Sequence, residues 1–263
     1  MEKVKVFLSD PQVLFREGIH FILSGEDDFE VTGETTSNEE ALTLIEANPP
    51  NIAILSMQKS GKLNGPEITR RIKRSLPSVS VILTMDKIDE EQLFSALKSG
   101  VSACLTKDSE PEYLLDTIRV VAQGSQPILE ALLTPGLASR TLTEFDDLAN
   151  LSEQLDNLLA RLAPKETEIL SSVAAGNNLE QVAAKLNMSE EAIRRNLKQI
   201  LNKLVANDQA RALIEAAQRS LPSIIRGATK MGGPSGEYVT KAEFNEFKDS
   251  LMERLKAFIG ELA

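Results

Sequence analysis

Val79–Asp108 reads VSVILTMDKIDEEQLFSALKSGVSACLTKD, and its punctuation decides the architecture of the first half of the chain. Val79–Thr84 and Ala103–Thr106 are short, mostly apolar runs of strand length. Between them Glu90–Ser99 follows a helical pattern and runs into Gly100. The same alternation extends outward on both sides. Val4–Leu8, Phe29–Glu34 and Ile52–Leu55 read as strands; Val13–Leu23, Asn38–Ala47, Pro66–Ser75 and Glu110–Ala122 read as helices, the last stopped by Gly124. Ile52–Leu55 is wholly apolar, as a strand covered on both sheet faces should be. Five strand–helix units predict an α/β fold with a five-stranded, doubly wound parallel sheet. Its ligand site is expected at the carboxyl ends of the strands.

The second half loses this alternation. From Ser125 to Arg140 the pattern dissolves around Pro127, Pro135 and Gly136, and a long helix is expected to begin with Thr143 as its N-cap. Its apolar positions are Phe145, Leu148, Leu151, Leu155, Leu158, Leu159 and Leu162, a stripe that suits either core packing or a short dimeric coiled coil. Three helices follow: Pro164–Ala175, Leu179–Leu186 and Ser189–Leu204. Gly176 closes the first, and Asn187-Met188-Ser189 turns into the third. A further helix is expected from about Asp208 to Ser220. Gly227–Gly236 is a glycine-rich connection, and Lys241–Leu262 carries Phe244, Phe247, Leu251, Leu255, Phe258 and Leu262 at helical spacing. A stripe of that kind calls for a partner, a second copy being the simplest.

Composition narrows the function. The chain has 263 residues, a formal net charge of -10, one Cys and one His. Cys104 alone excludes an intrachain disulfide, and with only His20 beside it a conventional zinc site is not expected. No segment has the run of apolar residues that a membrane span requires, and Met1–Asp10 lacks the pattern of a signal peptide, so a cytoplasmic location is expected. The acidity is uneven. Residues 1–125 carry 13 basic and 20 acidic side chains, whereas residues 162–207 carry 6 and 5. Any surface for nucleic acid therefore belongs to the later segment, focused on one face.

Helices joined by such short turns form a helix-turn-helix arrangement, with Glu190–Leu204 as the third helix. Ile193, Leu197, Ile200, Leu201 and Leu204 make its buried side. Arg194, Arg195, Asn196, Lys198, Gln199 and Asn202 fill the remainder. Arg and Lys can meet guanine edges or phosphates, and Asn and Gln can read adenine. Without that topology the same residues would make an ordinary solvated face.

Residues 162–205, LAPKETEILSSVAAGNNLEQVAAKLNMSEEAIRRNLKQILNKLV, resemble the helix-turn-helix domain of LuxR-type transcription regulators. Pro164, Glu166, Glu168, Leu170, Ala175-Gly176, Val182-Ala183, Leu186, Ser189, Ile193 and Lys203-Leu204 fall on signature positions. The resemblance places Arg194 at a basic DNA contact, with Lys198 one turn further on. The expected DNA-binding set is Arg194, Arg195, Asn196, Lys198, Gln199 and Lys203. Ala192 stands where Thr is usual, Asn196 where His is usual, and Glu180 where a basic residue is common. These departures imply altered affinity or sequence preference.

The first 125 residues resemble the receiver domain of two-component response regulators, through Ser9–Ile19 (SDPQVLFREGI) and Val81–Asp108. That resemblance implies an acidic pair after the first strand holding Mg²⁺, an aspartate ending the third strand as phosphoacceptor, and a Thr/Ser and a Lys answering the phosphoryl group. Here Ser56 occupies the acceptor position and Ser9 replaces one of the acidic pair, leaving Asp10. Thr84 and Lys107 remain. Gln58-Lys59-Ser60-Gly61 replaces the usual Met-Pro, and Cys104 stands where an aromatic residue is frequent. Lys107 could hold Asp10 instead of a phosphate. Cys104 and His20 read as structural residues.

The expected organisation is a degenerate receiver-like domain (1–125), a linker and long helix (126–161), a LuxR-type DNA-binding domain (162–207), a helix and glycine-rich connection (208–239) and an amphipathic helix (240–263). The expected function is transcriptional regulation as a DNA-binding homodimer, independent of aspartyl phosphorylation. No cofactor or membrane is implied, and a regulatory protein or small ligand is expected at the receiver face. The alternative is an adaptor that has lost DNA binding and docks proteins through the receiver and the terminal helix. An enzyme is disfavoured because neither a nucleophile–base pair nor a nucleotide-binding loop is present.

Overall fold

The structure is a computed structural model of the chain, describing residues 3–57, 63–150 and 159–220. Strands β1 (Val4–Ser9), β2 (Phe29–Thr35), β3 (Ile52–Ser56), β4 (Ser80–Met85) and β5 (Ala103–Thr106) form one sheet in the order β2-β1-β3-β4-β5. Every neighbouring pair is parallel. Helices α1 (Val13–Ser24), α2 (Asn38–Ala47), α3 (Gly65–Ser75), α4 (Glu90–Ser99) and α5 (Pro111–Ala122) connect them. This is the five-stranded, doubly wound parallel architecture expected from the alternation.

Two apolar layers account for its stability. On one side of the sheet Val6, Leu8, Ile54 and Leu105 pack with Ile19 and Leu23 of α1 and Ile118 and Val121 of α5. On the other, Phe7, Leu55 and Leu83 meet Ile45 of α2, Ile68 and Ile72 of α3 and Phe94 and Leu97 of α4. β3 is buried along its whole length, which explains why its sequence does not alternate.

Local chemistry starts the helices where the chain requires them. Ser37 accepts the Glu40 amide at α2, and Asp89 accepts the Gln92 amide at α4. Asn64 and Glu67 form a reciprocal capping box at α3. Gly65 leaves no room for a side chain: a Cβ there would lie 2.9 Å from the Met57 Cα, which fixes the entry of α3 beside the end of β3. Gly100 ends α4 at φ 85°, a left-handed conformation.

Beyond α5 the structure departs from the expected linker. Pro127–Leu133 forms a 3-10 helix, and α6 runs from Pro135 to Asn150. The two prolines initiate turns instead of breaking them, because a missing N–H costs nothing in a first helical turn. Thr143 is therefore no N-cap. It lies inside α6, its hydroxyl donating to the Ser139 carbonyl. Phe145 is buried in the large core with Leu132 and Leu137, so the start of the leucine stripe is a packing face. Leu151, Leu155 and Leu158 lie outside the described residues.

Three helices follow: α7 (Pro164–Ala174), α8 (Leu179–Leu186) and α9 (Glu190–Ser220). Asn178 and Gln181 cap α8 reciprocally, and Asn187 closes it in the left-handed region at φ 52°. The expected break between Leu204 and Asp208 is absent: α9 continues through it. Val205-Ala206-Asn207 contains neither glycine nor proline, so nothing local stops the helix. Ile169, Leu170, Val173, Val182, Ile193, Leu197, Ile200 and Leu201 form its core, continuous with Ile128 and Leu132 of the 3-10 helix.

Among the described residues, 3–147 and 161–205 form one compact unit, and 148–150, 159–160 and 206–220 belong to a second. In the second group the buried Asn207 holds the Ala160 backbone through both its amide and its carbonyl, at 2.8 and 2.9 Å. The expected C-terminal helix at 240–263 and the glycine-rich connection lie outside the described residues.

Candidate functional site

The receiver cleft forms where the parallel strands end together. Ser9 closes β1, Ser56 closes β3 directly opposite Thr84 of β4, and Lys107 follows β5. Their backbone positions come from strand register, so the fold brings Ser9, Asp10, Ser56, Thr84 and Lys107 to one place. A cleft of about 600 Å³ opens over Ser56, Thr84 and Lys107, bordered by Met57, Met85 and Asp86.

The cleft chemistry is dominated by one ion pair. The Lys107 ammonium lies 2.7 Å from Asp10 Oδ2 and 2.9 Å from Oδ1. The Thr84 hydroxyl is 3.4 Å from Oδ2, and the Gln12 amide donates to Oδ1 at 2.8 Å. The carboxylate of Asp10 is only 4 % exposed, so screening by water is weak. Arg16 donates to the Asp10 carbonyl at 3.0 Å, and Lys107 also faces the Phe15 ring at 5.1 Å.

Ser9 turns away from this pair. Its hydroxyl bonds Asn38, whose amide donates to the carbonyls of Ser56 and Leu63 at 3.2 and 3.1 Å. Sequence reasoning missed Asn38, which is fully buried and ties three segments of the cleft floor together. A polar residue just after a Ser N-cap looks like solvated helix and gives no signal of burial.

A divalent cation of the kind that the receiver fold implies does not suit these residues. Mg²⁺ needs hard oxygen ligands in octahedral array, whereas Asp10, the buried carboxylate of the cleft, is already spanned by an ammonium. Among the described residues no three His, Cys, Asp or Glu side chains gather as a metal site. Cys104 is a poor nucleophile: burial pushes its thiol up to about 12. His20 faces Glu34 at 3.6 Å, away from the cleft.

The second candidate site is α9. Ser189 caps it, accepting the Ala192 amide, with Glu190 and Glu191 in the first turn. Ile193, Leu197 and Ile200 anchor its inner side, which turns Arg194, Arg195, Lys198 and Gln199 outward. Not all are equally available. Arg194 pairs with Glu130 of the 3-10 helix, and Arg195 with Glu191 at 2.9 Å. Asn196 donates to the Ala192 carbonyl of its own helix. Lys203 lies 2.7 Å from the buried Glu166, which also accepts the Ala163 amide at the start of α7. Lys203 thus joins α9 to α7. No sequence signal distinguished it from the solvent-facing bases.

Two family descriptions match the chain. Residues 6–119 match the response regulator receiver domain, and residues 160–216 match the luxR family of bacterial regulatory proteins. The chain is similar to the transcriptional regulatory protein DegU of Brevibacillus brevis, 28% identical over 81% of this chain and 93% of that protein. It is also similar to the uncharacterized transcriptional regulatory protein YxjL of Bacillus subtilis, 27% identical over 84% and 98%. VraR of Staphylococcus aureus, a response regulator protein, is 26% identical over 83% and 98%. Among solved structures, the receiver domain of the putative response regulator NarL from Mycobacterium tuberculosis aligns with 47% of this chain and 99% of its own, at 28% identity and a TM-score of 0.45.

Proposed function

We propose that this chain, which belongs to the LuxR-type response regulators by its receiver and luxR-family domains, regulates transcription by binding duplex DNA through α9 without aspartyl phosphorylation. One observation carries the DNA reading: α9 turns Arg194, Arg195, Lys198 and Gln199 outward while Ile193, Leu197 and Ile200 fix its rotation. Arg194 then serves base or phosphate recognition, Lys198 and Arg195 the phosphates, and Gln199 a base edge. Asn196 and Lys203 complete the proposed set at the margin of the interface. The named relatives are transcriptional regulatory and response regulator proteins, which supports this reading.

The chemistry of the cleft supports independence from phosphorylation. Ser56 lacks the carboxylate that attacks a phosphodonor, and Lys107 is occupied by Asp10. Input would instead reach the cleft as a regulatory protein or small ligand. We further propose the boundaries 1–125, 126–161, 162–207, 208–239 and 240–263, a cytoplasmic location, and a homodimer matching two-fold DNA sites. Among the described residues no helix is long and apolar enough to cross a membrane.

Footprinting the purified chain across genomic fragments tests the DNA reading. Protected two-fold sites are expected; no protection on any fragment would favour the adaptor alternative. Light scattering after removal of residues 240–263 tests the dimer: weaker self-association is expected, and an unchanged assembly would exclude that segment from it.

A further inference from the structure

We propose that the cleft over Ser56 binds an uncharged aromatic small molecule, held by the Ser56 hydroxyl and the thioethers of Met57 and Met85. This deepens, and rests on, the reading that input reaches the cleft without phosphoryl transfer.

The Ser56 hydroxyl is spare. Ser56 lines the cleft and is 3 % exposed. Its backbone is committed: the carbonyl accepts from Asn38 at 3.2 Å, and strand register sets the residue opposite Thr84. Among the described residues, however, its hydroxyl has no hydrogen-bond partner. Nor is it sealed off, since the sealed and unpartnered side-chain oxygen among those residues is Gln126 Oε1. The neighbouring hydroxyls are taken. Thr84 lies 3.3 Å from the Leu55 carbonyl and 3.4 Å from Asp10 Oδ2, and Ser9 bonds Asn38 at 3.1 Å. A hydroxyl this deep gains from a ligand that brings its own hydrogen-bonding group.

The charges of the cleft argue against an ionic ligand. Lys107 lies 2.7 Å from Asp10, with Asp86 a further carboxylate at 4.0 Å. Asp89 is committed to the first turn of α4, where it accepts the Gln92 amide at 2.7 Å. Lys87 is exposed, with Asp86 beside it and Asp89 two residues on. An anion held deep in the cleft would have to draw Lys107 from Asp10, and a cation would have to draw Asp10 from Lys107. Either exchange leaves a buried charge without its mate. An uncharged ligand disturbs neither.

The remaining wall favours a ring. Met57 and Met85 line the cleft, and both belong to the large apolar core. Their backbones are pinned: the Met57 amide donates to the Thr84 carbonyl at 2.8 Å, and the Met85 carbonyl accepts the Lys107 amide at 2.9 Å. Adjustment to a ligand therefore falls to the side chains. Thioethers fill irregular gaps and make favourable contacts with aromatic rings. The cleft volume of about 600 Å³ suits a small organic molecule, for which pockets span roughly 300–1,000 Å³.

The test uses the full chain carrying methyl-¹³C-labelled methionine. The signals of Met57 and Met85 report the cleft, and that of Met188, between α8 and α9, serves as the reference. Acetophenone is the uncharged aromatic probe, benzoate its anionic counterpart and inorganic phosphate the second anion. Acetophenone should move the Met57 and Met85 signals and leave Met188 in place. Benzoate should bind about tenfold more weakly or not at all. Ser56→Ala should weaken acetophenone by about two- to tenfold, the loss of one neutral hydrogen bond. Unmoved methionine signals with acetophenone, preferential binding of benzoate or phosphate, or equal affinity in Ser56→Ala would each overturn the proposed ligand. All three leave the phosphorylation-independent reading standing. Intact mass of the same preparation after Mg²⁺ and acetyl phosphate checks that reading separately: stoichiometric added phosphate would overturn it, and the proposed ligand with it.

Discussion

Asp10 and Lys107 are each buried against the other, and this makes the pair costly to break from one side. Lys107→Ala leaves a carboxylate 4 % exposed with no cation, and should destabilise the chain by roughly 3–5 kcal/mol. Urea denaturation at neutral pH checks this; a loss below about 1 kcal/mol would mean that water reaches Asp10. Ser56→Asp alone should not create an efficient acceptor for a small phosphodonor, because Ser9 still leaves the end of β1 with one acid of the usual pair and Lys107 spans that acid, Asp10. Cys104 supplies a pH prediction. Its folded value, about 12, lies above the ordinary 9.0, so the unfolded thiol ionises first. Its contribution to stability is complete below pH 9.0 and is lost as pH rises toward 12. The native thiol should therefore resist alkylation at about pH 8.5–9, while the urea-unfolded chain reacts. Equal rates in both states would contradict its burial.

In α9, the residues facing outward differ in what they must give up to meet DNA. Arg194 must leave Glu130, an exposed pair worth at most about 1 kcal/mol. Glu130→Gln should accordingly tighten duplex binding by no more than about fivefold, whereas Arg194→Ala should cost roughly 1–3 kcal/mol of discrimination if Arg194 pairs with guanine. Titrating both variants against the same duplexes separates these effects, and unchanged affinity in both would remove Arg194 from the interface. The periodicity of Ile193, Leu197 and Ile200 made this helix legible in sequence, since burial imposes the spacing. Its length was not legible: an end at Leu204 was expected, yet no residue from Val205 to Asn207 favours termination. The stretch after Ser125 misled for the opposite reason. Pro127 and Pro135 were read as breakers, although each sits in a first turn, where its fixed φ helps. Register explains the cleft: once five parallel strands are placed, Ser9, Ser56, Thr84 and Lys107 must converge. Asn38 stayed hidden because its burial depends on Leu63 and Ser56, which sequence spacing does not bring together.

For the molecule as a whole, the receiver core and the helix-turn-helix core are one apolar body. Phe94 and Leu97 of α4, Leu132 of the 3-10 helix, Phe145 of α6 and Ile169 and Leu197 of the last helices belong to a single cluster. Charge is unevenly distributed, with residues 1–125 strongly acidic and residues 162–207 close to neutral, their bases including Arg194, Arg195 and Lys198 of α9. The proposed regulation is DNA binding that needs no phosphoryl group. The direct measurement is titration of the full chain against a footprinted duplex, with and without Mg²⁺ and a small phosphodonor, and intact mass recorded on the same samples. The same salt-dependent affinity is expected in both conditions, with no added phosphate. Binding that appears only with the phosphodonor, accompanied by stoichiometric phosphate on the receiver, would contradict it.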